Sequence, residues 1–360
     1  VRRDLLAAVA LCASLFAASS VAKPTLDLGF SDGVRPLDLP DAPAPEECGG
    51  CHKAEYADWQ TTMHKAAWTA PVFQAGFIVE PLEVCVNCHA PLPEQQAEIA
   101  ANAAWYTWQD PHTRQGPEPA KAPEPHAEQG ITCAVCHVRD GAVLASHDDD
   151  AAPHAIRVEP GLAESTLCAS CHQFNSAAVR STDRGDEIVI TGEPMQTTWS
   201  EWARSDAGRG GDTCQSCHMP GGRHLFRGAH DRDLLRASLA VEATRRGDLV
   251  TFALSSVGTG HDLPTGDLFR HLTVEVDRGP GWEEVDRVGR TFALRHRAGG
   301  AVLAETSDTR LRPGVVRRVK VEADQPLRWR VVWHDTSERD EAHARVPLAE
   351  TTLVLAEGER

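Results

Sequence analysis

The sequence predicts a chain in two parts. The first is a mostly α and irregular region wrapped around stacked bound groups, and the second is an all-β antiparallel sandwich. Three observations predict this. Cysteine–histidine motifs crowd residues 48–218 and none follows. Proline- and glycine-rich stretches between them leave room only for short amphipathic segments. After His230 the pattern changes to short runs of alternating apolar and polar residues with turns between them.

The first of the motifs is Cys48-Gly-Gly-Cys51-His52. Four more follow: Cys85-Val-Asn-Cys88-His89, Cys133-Ala-Val-Cys136-His137, Cys168-Ala-Ser-Cys171-His172 and Cys214-Gln-Ser-Cys217-His218. Two thiols and an imidazole in this spacing form a c-type haem attachment site. The thiols take the two vinyl groups and the histidine becomes the proximal iron ligand. Histidine is only 17 of 360 residues, so its presence after all five pairs is not coincidence. Structural zinc takes CxxC pairs two at a time, which leaves one pair over. A thioredoxin-like site needs a single pair. The expected cofactors are therefore five covalently bound haem c groups. Ten of the eleven cysteines are used, and the eleventh, Cys12, lies in the leader, so no disulfide framework is expected.

The formal charge of −16 argues against nucleic acid and anionic membrane surfaces as partners. The expected partner is a redox protein with a basic docking patch. Residues 1–22 read as a signal peptide. Arg2 and Arg3 form its positive start, Leu5–Ala18 its apolar run, and Ser20-Val21-Ala22 its cleavage site. Arg2-Arg3 also hints at a twin-arginine signal, but attachment of haem to an exported, unfolded chain favours general secretion. Cys12 is a poor lipoprotein anchor because bulky Leu11 precedes it. No later segment is apolar enough to span a membrane, so a soluble periplasmic or extracellular protein is expected.

Residues 23–47 carry five prolines and read as an extended lead-in. The haem-bearing part is placed at 48–232 and the β part at 233–360. In the first haem segment His52, Tyr56, Trp59 and Met63 form the stripe of an amphipathic helix. Tyr56 and Trp59 are expected to pack on haem. His64 sits twelve residues after His52, about 18 Å along such a helix, so it would ligate a neighbouring iron rather than the one held by His52.

At this point the chain resembles a known family. CxxCHxxxYxxW followed by a helical histidine, as in Cys48–His64, resembles the cytochrome c-552/4 group of multihaem cytochromes. That group includes the tetrahaem electron acceptor of hydroxylamine oxidoreductase, and pentahaem nitrite reductases are wider relatives. The resemblance implies that His64 is the distal ligand of a different haem. The chain has Thr62 where the family often has Ser.

Pro91 and Pro93 stop any helix after His89, and a short helix over 97–110 carries Trp105 and Trp108 on a face able to cover a porphyrin. The loop at 111–128 holds His112 and His126. After the third motif come His147, the solvated Asp148-Asp149-Asp150 turn, and His154. A preceding proline gives His154 a rigid approach, which makes it the better ligand of the two. A short β run is expected at Glu187–Thr191 and a helix at Gln196–Ser205 with Trp199 and Trp202. After the fifth motif, His224 and His230 stand in an HxFxGxH stretch that resembles family members in which both are ligands.

Proximal histidines are spaced 37, 48, 35 and 46 residues apart, so the haems form one cluster and not a tandem array. About 185 residues for five haems is too little apolar chain for an ordinary core, and without haem this part is expected not to fold. In the β part seven strands are expected: Ser238–Ala243, Leu249–Ser255, His271–Asp277, Thr291–His296, Val315–Glu322, Leu327–His334 and Thr352–Ala356. The loop Gly258-Thr-Gly-His261-Asp-Leu-Pro-Thr-Gly266 is similar to GHxxPTG loops of β domains attached to multihaem cytochromes, which implies that His261 reaches an iron. His271, His296, His334 and His343 read as ordinary surface residues.

Five distal ligands are thus expected: His64, His154, His224, His230 and His261, with His112, His126 and His147 in reserve. Iron held by two histidines does outer-sphere electron transfer. The reading is an exported pentahaem electron carrier with no catalytic residues, compatible with a place in a membrane-associated electron-transfer complex. The alternative is a nitrite, hydroxylamine or sulfur-oxyanion oxidoreductase with one open haem. Against that alternative, the chain has no CxxCK motif and only Tyr56 and Tyr106 as tyrosines.

Overall fold

The structure, a computed structural model, describes residues 37–109, 114–122, 126–297, 300–335 and 352–360. The leader, most of the lead-in, His112 and His343 lie outside these residues.

The N-terminal part is built of short helices: α1 (Pro45–Gly49), α2 (Lys53–Trp59), α3 (Pro71–Val79), α4 (Glu83–His89), α5 (Pro93–Ala101), α6 (Ala103–Gln109), α7 (Cys133–His137), α8 (Thr166–His172), α9 (Thr198–Ala203), α10 (Asp206–Gly210), α11 (Cys214–His218) and α12 (Arg232–Ala237). Several correct the sequence reading. The helix after His52 ends at Trp59. The hydroxyls of Thr61 and Thr62 turn back onto the carbonyls of Asp58 and Trp59 (both 2.7 Å), competing with the helical ladder. Met63 therefore leaves the apolar stripe and is 36% exposed. The single helix expected at 97–110 is two, α5 and α6. Pro93 does not only end one segment. It starts the next from its first position, where the missing N–H costs nothing. The end of the lead-in is not merely extended, because Leu37 and Leu39 are buried with Leu92, Ala134 and Val135 and α1 begins at Pro45.

Strands also run through this part. β1 (Val138–Arg139) pairs antiparallel with β2 (Ala142–Ala145), and β3 (Ile156–Val158) joins β2 in parallel. β4 (Phe174–Thr182) and β5 (Gly185–Gln196) form a long hairpin where only a five-residue run was expected. Its returning arm is tied to the C-terminal part by the Arg290 guanidinium, which donates to Pro194 O and Met195 O (2.6 and 2.5 Å).

The C-terminal part holds β6 (Leu239–Arg246), β7 (Leu249–Ser256), β8 (His271–Asp277), β9 (Trp282–Arg297), β10 (Gly300–Asp308), β11 (Arg317–Glu322), β12 (Arg328–His334) and β13 (Thr352–Glu359). They form two antiparallel sheets, β10-β9-β8-β12-β13 and β11-β7-β6. Both sheets contribute to one core that includes Val250, Phe252, Leu254, Leu272, Val274, Val276, Val331 and Trp333. The alternation of Leu272, Val274 and Val276 does point inward, as a half-buried strand requires. The expected seven strands miss β10 and the first half of β9. In the first half of β9 the charged residues Glu283, Glu284, Asp286 and Arg287 interrupt the apolar pattern.

Candidate haem-binding site

Four of the five CxxCH motifs end a short helix with the histidine as its last residue: α4, α7, α8 and α11. One helical turn places cysteines at i and i+3 on one side, with the histidine at i+4 just beyond. The first motif differs in that His52 is the residue before α2. None of the ten motif cysteines forms a disulfide. Their thiols link motifs in space. Cys48 neighbours Cys133, Cys136 lies near Cys171, and Cys168 bonds Cys214. The side chain of Gln215 adds bonds to Leu162 O and Glu164 O (3.0 and 2.9 Å), clamping the fifth motif against the entry to the fourth.

The histidines of four motifs each face a second imidazole. The ring centres are 6.3 Å apart for His52 and His154, and 6.5 Å for His64 and His172. They are 6.1 Å apart for His137 and His224, and again for His218 and His261. An iron bonded to one nitrogen of each ring of a facing pair puts the ring centres about 6.2 Å apart, since each metal–nitrogen bond is ~2.0 Å and each nitrogen lies ~1.1 Å from its ring centre. All four pairs match that spacing.

The second ring nitrogens are arranged to suit. Nδ1 of His89, His137 and His261 faces a backbone carbonyl, of Ala67 (2.7 Å), Leu144 (2.9 Å) and Asp262 (3.0 Å), and Nδ1 of His218 faces Arg227 O. A carbonyl only accepts, so each Nδ1 carries the proton and Nε2 keeps its lone pair for a metal. Burial also keeps His64 and His89 neutral. It pushes His64 down to about 3, helped by the charges of His172 and His89, and His89 down to about 4.

His89 has different surroundings. Its ring stacks on Phe73, with centres 3.7 Å apart and planes 10° apart. Trp105 joins Trp68, Phe77 and Tyr106 in an aromatic cluster against which Cys85 of this motif packs. His230 lies beside Arg270 and Asp335 of the C-terminal part. Among the reserve histidines, His126 pairs with Glu98 (2.9 Å) and His147 contacts the Ser146 hydroxyl (3.1 Å). His271 and His334, expected to be ordinary surface residues, are directly paired across β8 and β12. They stack with centres 4.4 Å apart and planes parallel.

His64 and His224 are held by residues far from them in sequence. The backbone of His64 is gripped by the segment before the third motif: Ile131 N donates to His64 O (2.9 Å), and Trp59 Nε1 donates to Ile131 O (2.7 Å). Gly130 lies so close that a Cβ would sit 2.4 Å from that carbonyl. Asp58, buried on α2, accepts from Arg223 Nε (2.6 Å) and from His224 N (3.2 Å), fixing the loop that brings His224 to His137. Such carboxylates carry no motif.

The fold has a known counterpart. The crystal structure of a penta-heme cytochrome c552 from Thermochromatium tepidum superimposes with a TM-score of 0.61 at 18% identity, covering 89% of this chain and 98% of that one. The chain has the fold of that cytochrome. Superoxide reductase in the oxidized state also matches, over 27% of this chain at a TM-score of 0.17, which carries no argument. No protein-family profile matches the chain, and no curated protein does. Among the described residues no helix is long and apolar enough to cross a membrane.

Proposed function

We propose that this chain is an exported pentahaem c-type cytochrome of the cytochrome c-552/4 kind, carrying electrons between redox partners. The observation that carries the reading is the set of four facing imidazole pairs at 6.1–6.5 Å, each containing one CxxCH histidine. In this reading each cysteine pair holds one haem, and the haems supply one-electron iron chemistry. His52 with His154, His172 with His64, His137 with His224, and His218 with His261 hold four irons. Two imidazoles on one iron leave no place for substrate, so those sites pass electrons without inner-sphere chemistry. The thiol neighbours Cys48–Cys133, Cys136–Cys171 and Cys168–Cys214 support a continuous row through the motifs of His52, His137, His172 and His218. His64 and His89 lie close enough for their charges to interact, which supports a branch to the fifth iron. A partner with a basic patch fits the net charge of −16.

Among the described residues no second imidazole is paired with His89, which favours a second reading in which that iron is open. The protein would then be a nitrite, hydroxylamine or sulfur-oxyanion oxidoreductase. Low-temperature EPR of the oxidised holoprotein, with haem counted by mass, tests both. Five haems with only low-spin ferric signals support the carrier. One stoichiometric high-spin signal supports the open haem. Fewer than five haems overturns both.

A further inference from the structure

The loop bearing His261 belongs to the C-terminal part, yet the ring it presents faces His218 of the N-terminal part, with the ring planes 9° apart. Something must hold that loop across the junction. The side chain best placed to do so is Glu201 on α9, which is fully buried. Each of its oxygens takes two partners. Oε1 accepts from Arg310 Nη1 (2.6 Å) and Thr197 Oγ1 (2.5 Å). Oε2 accepts from Thr265 Oγ1 (2.7 Å) and from the backbone N–H of Asp262 (3.3 Å).

Asp262 is the next residue after His261, and its carbonyl faces Nδ1 of that histidine. One carboxylate thus grips the backbone N–H of the residue whose carbonyl orients the ring. Arg310, 6% exposed, brings the positive charge that a buried carboxylate needs, and it is itself flanked by Asp308 (2.8 Å). Arg204, also from the N-terminal part, adds a bond to the buried Asp262 carboxylate (3.0 Å). The loop fits closely where it lands. A Cβ on Gly260 would stand 3.3 Å from the Ala207 Cβ and 3.5 Å from the Trp202 ring.

We propose that Glu201 is a positioning residue that latches His261 to the iron held by His218, so that the C-terminal part supplies an axial ligand through one buried carboxylate. This rests on the reading above that His218 and His261 bracket an iron.

The test uses the holoprotein and four variants: H261A, E201Q, the double variant, and T265V. High-spin ferric EPR and the number of haems per chain that bind carbon monoxide after reduction are the readouts. H261A is expected to give one high-spin, CO-binding haem per chain. E201Q removes the charge behind four bonds. It is expected to raise the CO-accessible fraction of one haem about ten- to hundred-fold, the range for losing charged hydrogen bonds. T265V is expected to do the same more weakly. The double variant should open no second haem, because both changes act on one ligand. If H261A leaves every haem low-spin, the bracketing of the iron by His218 and His261 is wrong. If H261A opens a haem but E201Q and T265V do not, the latch is wrong and the bracketing stands. A second open haem in the double variant also overturns the latch, because Glu201 would then act on the fold at large. Should E201Q fail to accumulate with haem, T265V decides the question by the same measure.

Discussion

The ring of His64 faces that of His172 across 6.5 Å, although the two stand on different motif segments and His64 lies on a turn rather than a helix. Replacing His64 with alanine should convert one haem in five to a high-spin form and leave the others low-spin, read by EPR. Gly130→Ala, which would press a Cβ against the His64 carbonyl from a backbone at φ +61°, should produce part of the same signal.

Asp58 anchors the loop of His224 through Arg223 and a backbone bond. Asp58→Asn keeps the size but loses the charge that pairs with the guanidinium. The expected result is a partly high-spin haem at His137, with the signal rising on warming as the loop loosens. An unchanged spectrum would show that the loop needs no anchor.

The two parts have unequal cores. The C-terminal sheets bury a continuous apolar cluster, whereas the two N-terminal clusters are small and separate. A chain produced without haem attachment should therefore lose the motif-bearing region to limited proteolysis. A resistant fragment beginning near Leu239 should survive, identified by mass.

Phe252 is fully buried beside Trp329 in the C-terminal core. Phe252→Ala should cost that part about 3–5 kcal/mol. Denaturant melts followed by tryptophan fluorescence should show the loss, while haem content stays at its original value.

His334 stacks on His271, and its Nε2 bonds the Thr273 hydroxyl (3.0 Å). Burial, then the charge of His271, lowers its pKa from 6.5 to about 4, against an opposing pull from Glu275 and Glu284 and a further push from Arg287. The unfolded chain takes up this proton first as pH falls. The stabilisation is therefore complete above pH about 6.5 and is lost between there and pH about 4. Urea midpoints of the C-terminal part should fall across that window, and His334→Gln should flatten the fall.

The sequence alone determined the chemistry of attachment. A CxxCH unit is local: one helical turn brings its three groups together whatever surrounds it, so spacing is enough to read it. The strands of the C-terminal part were legible where one face is buried, as in β8, because burial imprints an alternation on the chain. The start of β9 was not legible because charged residues fill most of its positions, and β10 was missed although Val302 and Ala304 are buried.

The facing histidines are a different matter. His154, His224 and His261 stood out only as histidines in suitable loops, and no local rule says which motif each one meets. Pairing depends on contacts between residues far apart in sequence: Ile131 with His64, Asp58 with His224, and Glu201 with the backbone beside His261. Such contacts leave no period or motif behind. Only the tertiary structure decided them, because a buried carboxylate or a tight glycine acquires its role from what folds against it.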